Sequence, residues 1–325
     1  MTRCGPADGD VHHLAELGRR LTRCPDLDTL VGAALSGLAD LFGYEHSLLL
    51  LLDETGTRLY TIASHGYRTQ GIGSEVRLGE GIIGMAGARV EAMRVGNLGR
   101  MLAYARTVRR AYEAEGGEAP GTEIALPGLP DAESQLAVPA VVLGQLVGVL
   151  AVESRDRIAF DARDEDVLAV VAALVASAIE IDLAGERESD GGVVDARIAR
   201  DDVSPASAPS APATRVRFFA VDGSTFLDDE YLIKGVAGRI LFALLSHHER
   251  DGRLEFTNKE LRLDPSLELP ELRDNLESRL ILLKRRLDER AAPVRIEKAG
   301  RGRVRLLVGA PVRLECIGAA ADEDR

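Results

Sequence analysis

Tryptophan is absent from this chain, and aromatic residues make up only 4% of its 325 positions. Cysteine is almost as scarce. Cys4, Cys24 and Cys316 are far apart, odd in number and without metal-ligand spacing, which suits a reducing cytoplasm. The N-terminal stretch MTRCGPADGD has no apolar core, so it is not a secretory signal. The longest apolar segment, Val167–Ile181, lies between Asp166 and Asp182. It is shorter than the roughly 20 residues a membrane span needs, and no membrane association is expected. No P-loop, GxSxG, HExxH or CxxC occurs, so the chain is expected not to be an enzyme. His12-His13 and His247-His248 are adjacent pairs that diverge on a helix, so neither metal nor cofactor is expected.

Lysine is missing from the first 233 residues: Lys234, Lys259, Lys284 and Lys298 are the complete set. Behind the net charge of −12 is a split between the two parts of the chain. Residues 214–315 hold 20 Lys+Arg against 17 Asp+Glu, leaving 20 against 35 elsewhere. The first part does not suit a polyanion, whereas the second tolerates one. Length predicts about two domains, and 46% hydrophobic content predicts a globular protein.

The segment 134–154, SQLAVPAVVLGQLVGVLAVES, organises the first part. Two apolar runs, Gln135–Leu143 and Gln145–Glu153, hinge at Gly144-Gln145 as a hairpin, and Pro139 belongs at an edge, a start or a bulge. A buried hairpin of any sandwich or α/β domain would read alike. Upstream, LGEGIIGMAG (78–87) carries four glycines, which predict positive-φ turns leading into a tightly packed helix. Helices are expected over Val11–Arg23 and Asp26–Phe42, the latter capped by Asp26 and stopped by Gly43. Ser47–Asp53 and Arg58–Ser64 form a second hairpin, Val90–Leu98 a short strand, Met101–Glu115 a charged helix and residues 116–131 a surface loop. The run Phe160–Ile181 closes this part as a helix capped by Asp161 or Asp164, with Val167, Val171, Leu174 and Ile179 inward.

Together the glycine segment, the hairpin and the closing helix resemble a GAF domain over roughly the first 185 residues. The family pattern "lGeGiiG.a", "S.l.vPl...g..iGvl.v.s", acidic turn, helix is matched by Leu78–Ala86, Ser134–Ser154 and Asp161–Ile181. The resemblance implies a signal-sensing module with a small-molecule cavity between the sheet and the segments Gly81–Met101 and Met101–Glu115. Ile83, Met85, Met93, Val95, Tyr104 and Val138 are its candidate walls, the alternative being that they are plain core. No cysteine lies between Cys24 and Cys316 for bilin attachment, and the N-K-F-D-E set of cyclic-nucleotide binders is missing. The closing helix is apolar nearly all round, which predicts a homodimer through the terminal helices, with packing inside one chain as the alternative.

The Ser/Ala/Pro-rich residues 186–214 read as a flexible linker. Arg215–Val221 and Thr225–Ile233 read as a small antiparallel platform around Asp222-Gly223-Ser224. The helix Val236–His248 places Ile240, Leu241, Leu244 and Leu245 inward. Thr257–Glu260 has the form of a capping box, and Glu271–Arg290 carries a stripe of Leu272, Leu276, Leu280, Leu283 and Leu287. A hairpin, Val294–Glu297 with Val304–Val308, follows with a basic tip. This order resembles the winged-helix output domains of response regulators, notably in RLILLKRRL (279–287) before VRIEKAGRGRVRLLV (294–308). Gly235–Arg239 departs from the family, which has an acidic residue early in its first helix.

The resemblance implies double-stranded DNA as partner. Arg273, Ser278, Arg279, Lys284, Arg285 and Arg286 on the long helix, and Arg301, Arg303 and Arg305 on the wing, are the candidate contacts. The rest of the helix carries Asp274, Glu277, Asp288 and Glu289, and a solvated amphipathic surface would look similar. The expected fold class is α+β, a GAF-like antiparallel sheet flanked by helices (10–185), then a small winged-helix domain (215–315) and an acidic tail (316–325). The expected function is a cytoplasmic, homodimeric transcriptional regulator responding to a small-molecule or protein signal. The alternative is a non-enzymatic signalling adaptor whose winged helix contacts proteins.

Overall fold

The computed structural model describes residues 8–98, 124–189, 213–269, 276–300 and 302–318, which fall into two compact units divided at Asp182 and Leu183. The first unit opens with α1 (Asp8–Leu21) and α2 (Leu27–Gly37). Asp26 caps α2 by accepting from the Thr29 amide at 2.8 Å. The helix continues as a π-turn over Leu38–Phe42 and stops at Gly43, where φ is +73°. Both ends are legible from their capping residues.

Six strands follow: β1 (His46–Leu52), β2 (Arg58–His65), β3 (Glu75–Arg77), β4 (Met93–Gly96), β5 (Ser134–Val142) and β6 (Gln145–Ser154). They form one antiparallel sheet in the order β3-β2-β1-β6-β5-β4. Between β3 and β4 lies α3 (Gly81–Arg89), entered through Gly79 and Gly81 at positive φ. A Cβ on Gly84 would overlap the Arg77 carbonyl oxygen, so α3 approaches the end of β3 as closely as backbone allows.

The β5–β6 turn is Leu143-Gly144, with φ of 49° and 75°, one residue before the expected hinge. Two positive φ values define a primed turn that matches strand twist, and Leu143 is left 97% exposed. The ladder of β5 is irregular after Ala140, and β4 pairs with it only as far as Ala137. Pro139 therefore sits next to a bulge where, among the described residues, β5 has β6 as its only strand neighbour.

Alternation along the central strands sorts their side chains to two faces. Leu48, Leu50, Ala137, Val149 and Ala151 share one face with Ile83 and Ala86 of α3. Leu49, Leu136, Val138, Leu150 and Val152 take the other and are buried as well. The long helix α4 (Ala162–Ser189) closes the unit. Asp161 caps it, accepting from the Arg163 amide at 2.8 Å, while Asp164 accepts from the Asp161 amide at 2.8 Å. Tyr44 donates its hydroxyl to Asp164 at 2.6 Å, and Arg163 pairs with Asp10 of α1. Leu174, expected inward, is 40% exposed; the buried stripe of α4 runs instead through Leu168, Val171, Val175 and Ile179.

The second unit begins with β7 (Thr214–Phe219), β8 (Ser224–Leu227) and β9 (Glu230–Ile233). The expected single run Thr225–Ile233 is two strands, because Asp228 and Asp229 both adopt positive φ. Helix α5 (Gly235–Asp251) buries Ile240, Leu241, Leu244 and Leu245, and Phe218 stacks on Phe242 at 4.3 Å. Next come β10 (Glu255–Thr257), α6 (Asn258–Leu263), a 3-10 turn (Pro265–Leu267) and α7 (Leu276–Glu289). Thr257 and Glu260 form the expected capping box reciprocally.

The hairpin β11 (Val294–Lys298) and β12 (Arg303–Val308) joins β10 in a three-stranded sheet. A final strand, β13 (Val312–Ile317), pairs parallel to β7 along its whole length. The sequence alone does not separate this strand and places the start of the acidic tail at Cys316; residues 319–325 lie outside the described residues. Two further boundaries move: α4 runs through Ser189 into the expected linker, and Thr214 already belongs to β7.

Candidate functional site

The α3-covered sheet face of the first unit is apolar along most of its length and polar at one end. Register explains the change. Gln135 pairs with Glu153, and Glu153 with His46, one step of two residues beyond the row Ala137, Ala151 and Leu48. Three polar side chains therefore continue the apolar face.

The Glu153 carboxylate accepts from the Leu129 amide at 2.8 Å and from Gln135 Nε2 at 3.1 Å. Burial pushes its pKa up, against the pull of the Leu129 amide and Tyr67. The Tyr67 hydroxyl, largely buried, lies within hydrogen-bonding reach of that carboxylate. Burial, then the Glu153 charge, pushes the phenol far above its ordinary range. The His46 ring meets Tyr67 edge to face at 5.4 Å, and burial followed by the Arg155 charge lowers its pKa. Arg155 itself is bound to Asp131 at 2.9 Å, and its hydrogen bond holds that carboxyl below the usual range. Sequence reading misses this end of the sheet. The available signal is an acid in step with the inward residues of an otherwise apolar strand.

Of the candidate wall residues, Ile83 belongs to the apolar cluster and Met93 packs against it. Val95 pairs with Gln135 and so shares that face. Met85 is half-buried on α3 but outside the cluster. Val138 is a correction: the pleat turns it to the opposite face from Ala137, where it cannot share a cavity wall with Ile83. Tyr104 and the helix expected over Met101–Glu115 lie outside the described residues. A separate cleft of about 270 Å³ borders β4, lined in part by Arg94, Val95, Asn97 and Phe160. At its edge the Asn97 backbone amide donates to the Arg157 carbonyl at 3.0 Å, and Arg94 pairs with Glu165 at 3.6 Å. Among the described residues no group of three or more His, Cys, Asp or Glu could hold a metal ion.

Residues 24–180 match the family model described as GAF domain. The first unit is therefore a GAF domain, a signal-sensing module. The chain is similar to the GAF domain of an Acinetobacter phosphoenolpyruvate-protein phosphotransferase, at 21% identity and a TM-score of 0.45, over 58% of this chain and 100% of that one. The equivalent domain from Coxiella burnetii matches at 18% identity and a TM-score of 0.44, over 56% and 99%. A fragment of a methyl-accepting chemotaxis protein, residues 122 to 287, matches at 25% identity and a TM-score of 0.40, over 52% and 98%. No curated protein matches the chain. Among the described residues no helix is long and apolar enough to cross a membrane.

In the second unit the expected basic surface is divided. Ser278, Arg279 and Arg286 are buried at 1%, 8% and 6% exposure, which corrects their assignment to an outward face. The reason is that α7 packs against α5, β9 and β11, burying far more than one leucine stripe. The Arg286 guanidinium is committed inside the unit, donating to the Leu232 carbonyl and to Glu289, both at 2.8 Å. Lys284 and Arg285 are half-buried. On the hairpin Arg303 and Arg305 are exposed, Arg305 pairing with Glu255. Arg273 and Arg301 lie outside the described residues.

Proposed function

We propose that the chain is a signal-responsive transcriptional regulator in which the GAF domain binds a small molecule and the second unit binds double-stranded DNA as a winged helix. The observation that carries the DNA reading is the β11–β12 hairpin. Val294, Ile296, Val304 and Leu306 turn inward, while Arg295, Arg303 and Arg305 alternate with them on the exposed side. Such a ribbon of guanidinium groups suits phosphate contacts. The order of sheet, three helices and hairpin adds support.

Dimerisation belongs to the same reading. Val170, Leu174 and Ile181 are 44%, 40% and 71% exposed, at intervals of four and seven residues along α4. That spacing suits a helix seam. The regulator acts in the cytoplasm and carries no catalytic step of its own.

The test is retention of the full-length chain on duplex DNA as salt rises. Phosphate-driven binding weakens about 10-fold or more between 50 and 200 mM salt, and Arg295→Glu with Arg303→Glu abolishes it. Salt-independent behaviour, or binding unaffected by those substitutions, removes the DNA reading. A second reading, an adaptor that contacts proteins through this unit, is favoured by the burial of Ser278, Arg279 and Arg286, which strips α7 of much of its basic face.

A further inference from the structure

The four-stranded sheet of the second unit ends on β13, and among the described residues no strand pairs with its outer edge. The Thr214 amide donates to the Pro311 carbonyl at 2.8 Å, and the Ala220 amide to the Ile317 carbonyl at 3.0 Å. Backbone groups alternate in direction along a strand, so residues 311, 313, 315 and 317 turn theirs to β7. Val312, Leu314 and Cys316 present theirs outward. Open edges are blunted by proline, lysine or a bulge, and β13 has none of these. Its six residues keep unbroken register with β7 and include neither Pro nor Lys. The opposite edge, β9, is four residues long, and its ladder with β8 is irregular.

The side chains of β13 are sorted by the same alternation. Val312, Leu314 and Cys316 stand beside Thr214, Val216 and Phe218, on the face where Phe218 stacks on Phe242 of α5. Leu314 is the half-buried rim of that apolar layer. Arg313 and Glu315 stand on the other face, 3.8 Å apart.

We propose that β13 pairs antiparallel with β13 of a second copy of this chain, about a two-fold axis at Leu314. Identical edges related by a two-fold meet antiparallel. Outward residues must pair with outward residues, and only a ladder centred on Leu314 uses all three. Val312 then exchanges hydrogen bonds with Cys316 of the second copy, and Leu314 with its own counterpart. That register also sets Arg313 opposite Glu315 of the second copy, and the reverse, at the positions where facing side chains come closest. The charge order is therefore self-complementary in the register that the backbone selects. An unrelated strand would need the complementary order, which a second copy carries already. The two Leu314 side chains extend the layer beneath α5 across the axis.

One short strand per copy binds weakly by itself, with a dissociation constant of about 1 mM. Copies joined at the α4 seam reach an effective concentration of about that size, and there the ladder closes. The register itself depends on neither the seam nor the DNA reading.

The experiment uses the full-length Val312→Cys chain under mild oxidation, with disulfides located by peptide mass. Residues 312 and 316 of one copy lie about 13 Å apart along the strand, too far for a bond, so a 312–316 link joins two copies. The link is expected in Val312→Cys. Wild type should give none, because the register holds its two Cys316 residues equally far apart. Glu315→Arg sets like charges opposite one another and slows linking at least tenfold, and adding Arg313→Glu restores it. Leu314→Cys with Cys316→Ser, which links to its own counterpart, serves if Val312→Cys does not fold. Linking is also read at about 1 mM chain, where it needs no seam dimer. Absence of the link at that concentration, a link between two wild-type Cys316 residues, or linking untouched by Glu315→Arg overturns the pairing. Amide protection at Leu314 without a link assigns the edge to another strand and overturns it too. Sedimentation reads the seam and salt-dependent retention reads DNA binding, so each reading fails separately.

Discussion

Lys298 Nζ lies 3.1 Å from Glu277 Oε1, tying the tip of the β11–β12 hairpin to the first turn of α7. The other Glu277 oxygen accepts from Asn258 Nδ2 at 3.3 Å, and the Asn258 amide donates to the Gly302 carbonyl at 2.8 Å. One buried carboxylate thus joins the start of α6, the start of α7 and both sides of the hairpin tip. Glu277→Ala is expected to cost about 1–3 kcal/mol, the usual penalty for leaving buried donors without an acceptor. Urea titration measures the loss, and amide exchange should show it concentrated at residues 294–308.

Two arginines that look alike in sequence should behave oppositely. Arg286→Ala removes the donor to the Leu232 carbonyl and the buried partner of Glu289, and should cost about 3 kcal/mol of stability. Arg303→Ser changes an exposed side chain and should stay within about 0.5 kcal/mol of wild type. Thermal unfolding of both proteins decides this without reference to any partner.

Glu153 makes the stability of the first unit depend on pH in a calculable direction. Burial raises its pKa in the folded state, so the folded chain holds the proton more tightly than the unfolded chain. Its favourable contribution is complete below the unfolded value of about 4.3 and is lost as pH rises through the folded value. His46 acts oppositely, since its lowered pKa makes folding more favourable as pH rises. The difference in unfolding free energy between wild type and Glu153→Gln isolates the carboxylate. It should move against wild type with rising pH and then level off.

The exposed apolar residues of α4 predict a change in mass. Leu174→Glu with Ile181→Glu places two charges on the exposed side of the helix while leaving Val171, Val175 and Ile179 in the core. Sedimentation should show a dimer for wild type and a monomer for the double variant, with unchanged helix content. A wild-type monomer rejects the seam.

The features legible in the sequence are those set by a few adjacent residues. Asp26, Gly43, the Thr257–Glu260 box and the glycines before α3 each satisfy a local backbone requirement, and all stand where their chemistry predicts. The GAF resemblance likewise rests on short motifs in a fixed order. What escapes is decided at a distance. The partner of β13 lies at the other end of the second unit's sequence, in β7, and nothing in Val312–Ile317 announces a parallel neighbour. Asp228-Asp229 turns without glycine, so the break between β8 and β9 carries no strong local signal. A helical wheel assigns Arg279 and Arg286 outward from one leucine stripe, but α7 is enclosed on several sides, and a wheel holds no information about neighbours. Glu153 is hidden for the converse reason: an acid at the end of an apolar strand looks like a solvent-facing terminus until its register with Gln135 and His46 is known.

The parallel ladder between β7 and β13 has a practical consequence for anyone attaching this protein to a surface. Thr214 sits opposite Val312 and Phe219 opposite Ile317, so the chain enters at one end of the ladder and departs at the other, about 16 Å away at the usual rise per residue. An attachment made beside Ile317 would thus hold the second unit from the end of the ladder remote from Thr214.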